Sequence, residues 1–322
     1  MFLVVAYHSP PRLEVLDEVF IFNLRMPVFF AMAGFLFNAK KYNTFGKYLK
    51  QRAKQIIVPY IVFFVFFYVL WLVVGRRMVG GEEMAVPPLQ PLWEFVMGRP
   101  EVVVQTFWYL ACLFTIQIIY YWIQRWTKGY WRFVVALALN LSLFVLPDAD
   151  WMRTWNFDRA LVFMPLYAFG DCFRDYIKQV DFSRTGQTFA IILLALVGCG
   201  ALYFGRQAVP KSTFYVLRVE VALMLLPAVL AIFKAIAKRL PISPAARTVV
   251  ITGTIYLAFQ NYFIGIIKII LTKCCGEGIF DEHIWLKLVI ALVVMVAIYP
   301  FAAFINRRMP WALGKGPLFD RL

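Results

Sequence analysis

IIVPYIVFFVFFYVLWLVV, residues 56–74, runs for nineteen residues without one charged side chain. An α-helix rises about 1.5 Å per residue, so roughly 20 residues cross the ~30 Å hydrocarbon layer of a bilayer. A transmembrane β-barrel would instead require short segments of alternating polarity, and this block does not alternate. It reads as a membrane-spanning helix. Working outward from it, comparable apolar blocks occur at 19–38, 103–123, 131–146, 158–173, 187–205, 213–233, 249–271 and 284–305. A shorter apolar stub, Met1 to Tyr7, precedes them. The chain is 62% hydrophobic and 16% charged, against roughly 45–50% and about 25% in an ordinary soluble domain. The mean hydropathy is +0.71. The expected fold is all-α, a polytopic transmembrane bundle of about ten helices whose first is truncated, with residues 1–322 forming a single membrane-embedded domain.

The net charge of +15 does not point to nucleic acid, because the positive residues sit in short connections between apolar blocks. That is the signature of cytoplasmic loops facing anionic lipid. One connection carries Lys40, Lys41, Lys47, Lys50, Arg52 and Lys54; later ones carry Arg125, Lys128 and Arg132, then Arg174, Lys178 and Arg184, then Lys234, Lys238, Arg239 and Arg247. The C-terminal stretch adds Arg307, Arg308, Lys315 and Arg321. The alternate connections are acidic, with Glu82, Glu83 and Glu101, then Asp148 and Asp150, then Glu277, Asp281 and Glu282. Both ends are therefore expected in the cytoplasm. Ten crossings satisfy this and nine do not, so the stub counts as a helix. Tryptophans 93, 108, 126, 151, 155, 285 and 311 fall near expected helix ends, where indoles anchor at the interface. The five cysteines form neither a disulfide framework nor a metal-ligand spacing, and no metal is expected.

Ionisable residues inside spanning segments are costly and mark candidate sites. His8 ends the first helix, followed by Ser9, Pro10 and Pro11. An interfacial histidine can simply reach water; alternatively its imidazole, which titrates near neutral pH, can act as a general base on a hydroxyl. Arg25 lies about two turns into the second segment at a comparable depth, with helix-breaking Pro27 beside it. Asp158, Arg159, Arg218, Glu220 and Lys268 fall toward the same side, and Gln260 and Asn261 near mid-membrane. Local pairing, Arg218 with Glu220 or Asp158 with Arg159, accounts for each singly. Together they describe a polar cavity open to the outside, with Arg159 and Glu220 as candidate substrate contacts. Asp171 reads as interfacial. Phosphate-binding glycine loops, serine elbows and zinc-protease motifs are absent from the sequence.

FLVVAYHS (2–9) followed by LRMPVFFAMAGFLF (24–37) resembles the opening of the integral-membrane acyltransferase-3 family, an apolar helix ending in His and then a phenylalanine-rich His-Met-Pro segment. YLKQRAKQIIVPY (48–60) is similar to the family's basic run before Leu-Pro-Tyr, and FWYL (107–110) to its Trp-Phe-Leu signature. PLYAFG (165–170) and GTIYL (253–257) look like later landmarks. Among subgroups the chain most resembles the fucose 4-O-acetylase type. The resemblance implies ten helices with cytoplasmic ends, and transfer of an acetyl group from acetyl-CoA to hydroxyls of cell-surface glycans. It implies His8 as the essential histidine and places Arg52 and Trp108 in recurring motifs, here taken as substrate contacts. Two departures stand out. The family's Arg about ten residues before the histidine would precede Met1, so the start codon is expected to be misassigned. Arg25 replaces the usual His before Met-Pro; it stays charged and cannot shuttle protons.

The sequence therefore leads to a membrane O-acyltransferase in a bacterial inner membrane. His8 would be the base and Arg25 the group that positions or stabilises the carbonyl. Lys50, Arg52 and Lys54 are available to CoA phosphates, although positive-inside topology alone also explains them. The expected partners are acyl-CoA, a cell-surface glycan or lipid-linked sugar acceptor, and membrane lipid, with no nucleic acid. Two other readings stand beside it: a transporter or export component for a glycan or lipid-linked intermediate, and a catalytically dead relative.

Overall fold

The computed structural model describes residues 1–13, 17, 22–75, 86–146, 149–182, 184–240, 243–276 and 278–316. Among these there are helices and turns but no strand. Six helices are long and apolar enough to cross a bilayer: Phe45–Val74, Gln105–Trp126, Thr185–Gly205, Thr213–Arg239, Gly253–Cys275 and Leu286–Arg308. Their outer faces are too apolar for water. In Thr185–Gly205 only 17% of the apolar window is buried, and Phe189, Leu196 and Val197 stand exposed. A continuous apolar rim of this kind is compatible with hydrocarbon, not with solvent.

The expected segments appear with small shifts. The stub is a helix, α1 (Phe2–His8), and the second segment contains α2 (Phe22–Phe35). The basic stretch expected as a loop is instead largely helical. α3 (Phe45–Arg52) starts at Thr44, whose hydroxyl accepts from the Lys47 amide at 3.3 Å. It runs without a break into α4 (Val58–Leu70) through one wide turn of π geometry, Ala53–Ile57. Pro59 explains that turn: it has no amide hydrogen and its ring crowds the preceding turn, so the hydrogen-bond ladder is re-spaced just before it. A short helix, α5 (Gln90–Val96), precedes α6 (Trp108–Trp126) and α7 (Trp131–Leu141). Then come α8 (Phe157–Cys172), the short α9 (Arg174–Gln179), α10 (Thr185–Ala208) and α11 (Lys211–Arg239). The segment expected at 249–271 is broken at Thr252 into α12 (Pro244–Ile251) and α13 (Gly253–Cys275). α14 (Ile279–Glu282) and α15 (Leu286–Arg308) complete the order. Glu82, Glu83, Asp148, Glu277 and Arg321, used above for topology, lie outside the described residues, as do the side chains of Asp281 and Glu282.

Two apolar clusters build the interior. One surrounds α8, buried at every position from Ala160 to Gly170, with α2, α6, α7, α10 and α11 packed around it. α2 and α8 approach closely because each presents a glycine. A methyl on Gly34 would overlap the Tyr167 carbonyl, and one on Gly170 would overlap the Ala31 carbonyl, the small-residue contact that lets membrane helices meet backbone to backbone. The second cluster gathers α1, α4, α13 and α15 with the 103–107 turn. Tyr109 and Leu113 of α6 pack against both, so the start of α6 lies at the seam.

The end of the bundle away from His8 is held by polar contacts. Asp171, expected at the interface, is a hub whose carboxylate accepts from Tyr120 at 3.0 Å, Arg132 at 3.1 Å and Arg174 at 2.9 Å. Arg174 also donates to the Phe37 carbonyl at 2.7 Å, tying the chain just after α2 to the start of α9.

Candidate active site

α1 brings His8 to the seam. Its Val5 and Ala6 are fully buried between α13 and α15. The helix stops where the prolines begin: the Ser9 amide and hydroxyl both donate to the Val5 carbonyl, at 3.0 and 2.9 Å, and Pro10 and Pro11 offer no amide to continue. The His8 ring stands edge-on to Tyr7 at 5.2 Å between centroids. Among the described residues, no group hydrogen-bonds the imidazole nitrogens.

α2 brings Arg25 to the same place. Its side chain is only 6% exposed, and the guanidinium carbon lies 3.7 Å from the centre of the Tyr7 ring. Stacking on an aromatic face is a low-cost way to hold a weakly hydrated planar cation away from water. Tyr7 thus contacts both ionisable side chains, His8 on its edge and Arg25 on its face.

The third wall comes from the turn Gln105–Phe107 and the start of α6. Three contacts pin this turn to α13. Thr106 donates through its hydroxyl to the Leu257 carbonyl, Asn261 donates to Gln105 at 3.2 Å, and Tyr262 donates to the Val103 carbonyl at 3.0 Å. The cavity between these walls is small, about 30 Å³. Met1, Val4 and His8 of the first helix face Arg25, Met26 and Phe29 of the second across it, and Thr106, Trp108, Tyr109 and Leu257 close it. The walls are mostly apolar, with one imidazole and one guanidinium converging, the usual make-up of a small-molecule site.

Behind Trp108 stands a charged support. Arg159, at the start of α8, places its guanidinium carbon 5.0 Å from the indole centre and pairs with Glu101 at 3.0 Å. This corrects the expected pairing with Asp158: neighbours in sequence point to different sides of a helix, whereas Glu101 faces Arg159 from another segment. Arg218 and Glu220 are likewise two apart on α11 and project about 200° from each other, so they are no pair. The Glu220 carboxylate has no hydrogen-bond donor among the described residues, and Arg218 stacks on Tyr215 at 4.7 Å.

Four of the six residues singled out from sequence therefore meet in one place: His8, Arg25 and Trp108 line the pocket, and Arg159 backs Trp108. Glu220 does not line it. Arg52 lies at the opposite end of α2, about 20 Å away by the rise of that helix. There it donates to Gln55 at 2.9 Å and covers Tyr48 at 5.2 Å. Lys268 is exposed on α13, and Gln260 is fully buried.

Residues 1–298 match the sequence model of the acyltransferase-3 family, described as an acyltransferase domain. The chain belongs to this family. No curated protein and no solved structure gives a significant match. This acyltransferase is an integral membrane protein, since the family is a membrane one and the six spanning helices are present. Among the described residues, no cluster of three or more His, Cys, Asp or Glu side chains is arranged to hold a metal ion.

Sequence reasoning missed three contributors to the candidate site. Tyr7, Thr106 and Tyr109 carry no charge and are lost among the aromatic and apolar residues around them. A fourth, Lys287, was legible only as a lysine at the edge of the last apolar segment. In the fold it is 1% exposed and reaches the turn that follows His8.

Proposed function

We propose that this membrane acyltransferase is an O-acyltransferase that moves an acetyl group from acetyl-CoA to a hydroxyl of a cell-surface carbohydrate or lipid-linked sugar. The observation that carries the proposal is the convergence of an imidazole and a buried guanidinium on one pocket. Neutral His8 takes the proton of the acceptor hydroxyl as its oxygen attacks the thioester carbonyl. Arg25, fixed over Tyr7, lies beside the oxygen on which negative charge develops. Collapse of the tetrahedral intermediate breaks the carbon–sulfur bond, and the imidazolium returns its proton to the departing thiolate. The products are the O-acyl ester and CoA thiol, so atoms and charges balance. Trp108 provides a flat apolar face for the sugar, steadied by Arg159. Glu220, whose carboxylate oxygens are buried outside this pocket with no donor among the described residues, is a further candidate contact for acceptor hydroxyls.

On this reading one domain embedded in a bacterial inner membrane presents its His8 end outward, with both chain ends in the cytoplasm. The CoA donor reaches it from the Arg52 end, where Lys50, Arg52 and Lys54 attract its phosphates. The deciding experiment supplies radiolabelled acetyl-CoA to membranes carrying the protein, beside a His8→Ala variant inserted to the same level. Label entering surface glycan with the wild type alone is the expected result. Equal labelling by both removes His8 from the chemistry, and no labelling by either overturns acetyl transfer.

A further inference from the structure

Lys287 is the most deeply buried cation described in the chain. Its Nζ donates to the Ser9 carbonyl at 2.7 Å and the Pro11 carbonyl at 3.0 Å, and meets the Asp17 carboxylate at 3.0 and 3.1 Å. Three donors on an ammonium are thus matched by two carbonyls and a carboxylate. Asp17 accepts in turn from the Leu13 amide at 2.9 Å. Burying both charges costs several kcal/mol per ion before their attraction is counted, and well-packed apolar residues often do as well. Stability alone is therefore a weak reason for such a pair.

Its location supplies a better one. The two carbonyls belong to the first and third residues after His8, in a segment that prolines exclude from the helix. His8 itself is the last residue of a seven-residue helix, and among the described residues nothing hydrogen-bonds its ring. A catalytic histidine is ordinarily oriented by a hydrogen bond to its second nitrogen. Here the orientation must come from the backbone on either side. Val5 and Ala6 fix the near side by packing; Lys287 fixes the far side.

We infer that Lys287, neutralised by Asp17, is a positioning residue that sets the imidazole of His8 in the acyl-transfer pocket. The inference rests on the acyltransferase reading above for its kinetic consequence, but its structural half does not. Lys287 does not line the pocket; it acts through the Ser9–Pro11 backbone.

The test uses the full-length protein in membranes or detergent with three variants: Lys287→Met, Lys287→Arg, and the double replacement Lys287→Met with Asp17→Leu. Single loss of the lysine leaves a buried carboxylate unpaired and destabilises the fold. The double replacement removes both charges and is expected to recover wild-type thermal stability. It should not recover turnover: a misplacement of about 1 Å can cost roughly 100-fold, and the loss should fall on kcat with donor KM unchanged. Lys287→Arg, which keeps the donors, is expected to retain part of the activity. Diethyl pyrocarbonate provides a readout independent of catalysis, because the chain has two histidines and His283 serves as internal reference. Mass spectrometry should show the His8 modification rate altered in the double variant while that of His283 stays constant. A stable double variant with wild-type kcat, or with His8 modified at the wild-type rate, would overturn the inference. If the wild type itself transfers no acetyl group, the acyl-transfer reading fails and the His8 modification rate still decides the positioning role.

Discussion

Gly34 of α2 and Gly170 of α8 lie about one turn apart on the same helix crossing, Gly34 against the Tyr167 carbonyl and Gly170 against the Ala31 carbonyl. In most helices a glycine-to-alanine change is favourable by up to about 1 kcal/mol. Here the added methyl meets backbone, which no rotamer change can move aside. Gly34→Ala and Gly170→Ala are each expected to lower stability by at least about 1–3 kcal/mol, the usual cost of overpacking. Thermal unfolding in detergent measures it; unchanged melting for either would mean the crossing is looser than described. Because α2 also carries Arg25, activity should fall further than stability.

Arg25 offers a separable test of charge stabilisation. Arg25→Ala is expected to cut kcat by roughly 10²–10³-fold, the range for losing one preorganised donor to a developing oxyanion. Arg25→Lys keeps the charge but loses the planar stack on Tyr7 at 3.7 Å, so it should fall between the two. Steady-state kinetics with acetyl-CoA separates the outcomes. A change confined to KM would make Arg25 a binding group only.

The Glu101–Arg159–Trp108 relay should affect the acceptor rather than the donor. The Arg159–Glu101 pair is about one-third exposed on each side, where an ion pair contributes about 0–1 kcal/mol. Glu101→Gln should therefore barely change melting. It frees Arg159 to leave the indole, and an aromatic contact worth about 0.5–1.5 kcal/mol corresponds to roughly a two- to thirteenfold rise in acceptor KM. Trp108→Ala should raise it at least as much, and Trp108→Phe less. Equal effects on donor and acceptor KM would place Trp108 in the donor path.

The helical fold and the two ionisable side chains lining the pocket were legible in the sequence for one physical reason. A bilayer admits only segments that satisfy their own backbone, so hydropathy alone marks the helices, and any charge among them is conspicuous. His8, Arg25 and Arg159 stood out in this way. The same rule hid Lys287. A lysine one residue after Leu286 reads as a side chain snorkelling to the headgroups, and only the fold reveals that it turns inward to Ser9, Pro11 and Asp17. Arg159 was found, but its partner was not, because Glu101 is 58 residues away in the chain. The basic stretch at 40–54 was visible as charge but not as helix, since composition alone does not show how Pro59 is accommodated by a wide turn.

Arg52 lies far from His8, and that distance makes its role testable by shortening the donor. If it binds CoA phosphates, Arg52→Ala should raise KM for acetyl-CoA and leave kcat near the wild-type value, the signature of lost uniform binding. The effect should weaken in high salt, because Arg52 is only partly buried and its field is screened. A truncated thioester, such as S-acetyl-N-acetylcysteamine, has no phosphate for Arg52 to bind. The variant and the wild type should use it equally. An equal defect with both donors would instead assign Arg52 to the packing of Tyr48, whose ring it covers and whose hydroxyl holds the Gln117 carbonyl at 2.9 Å.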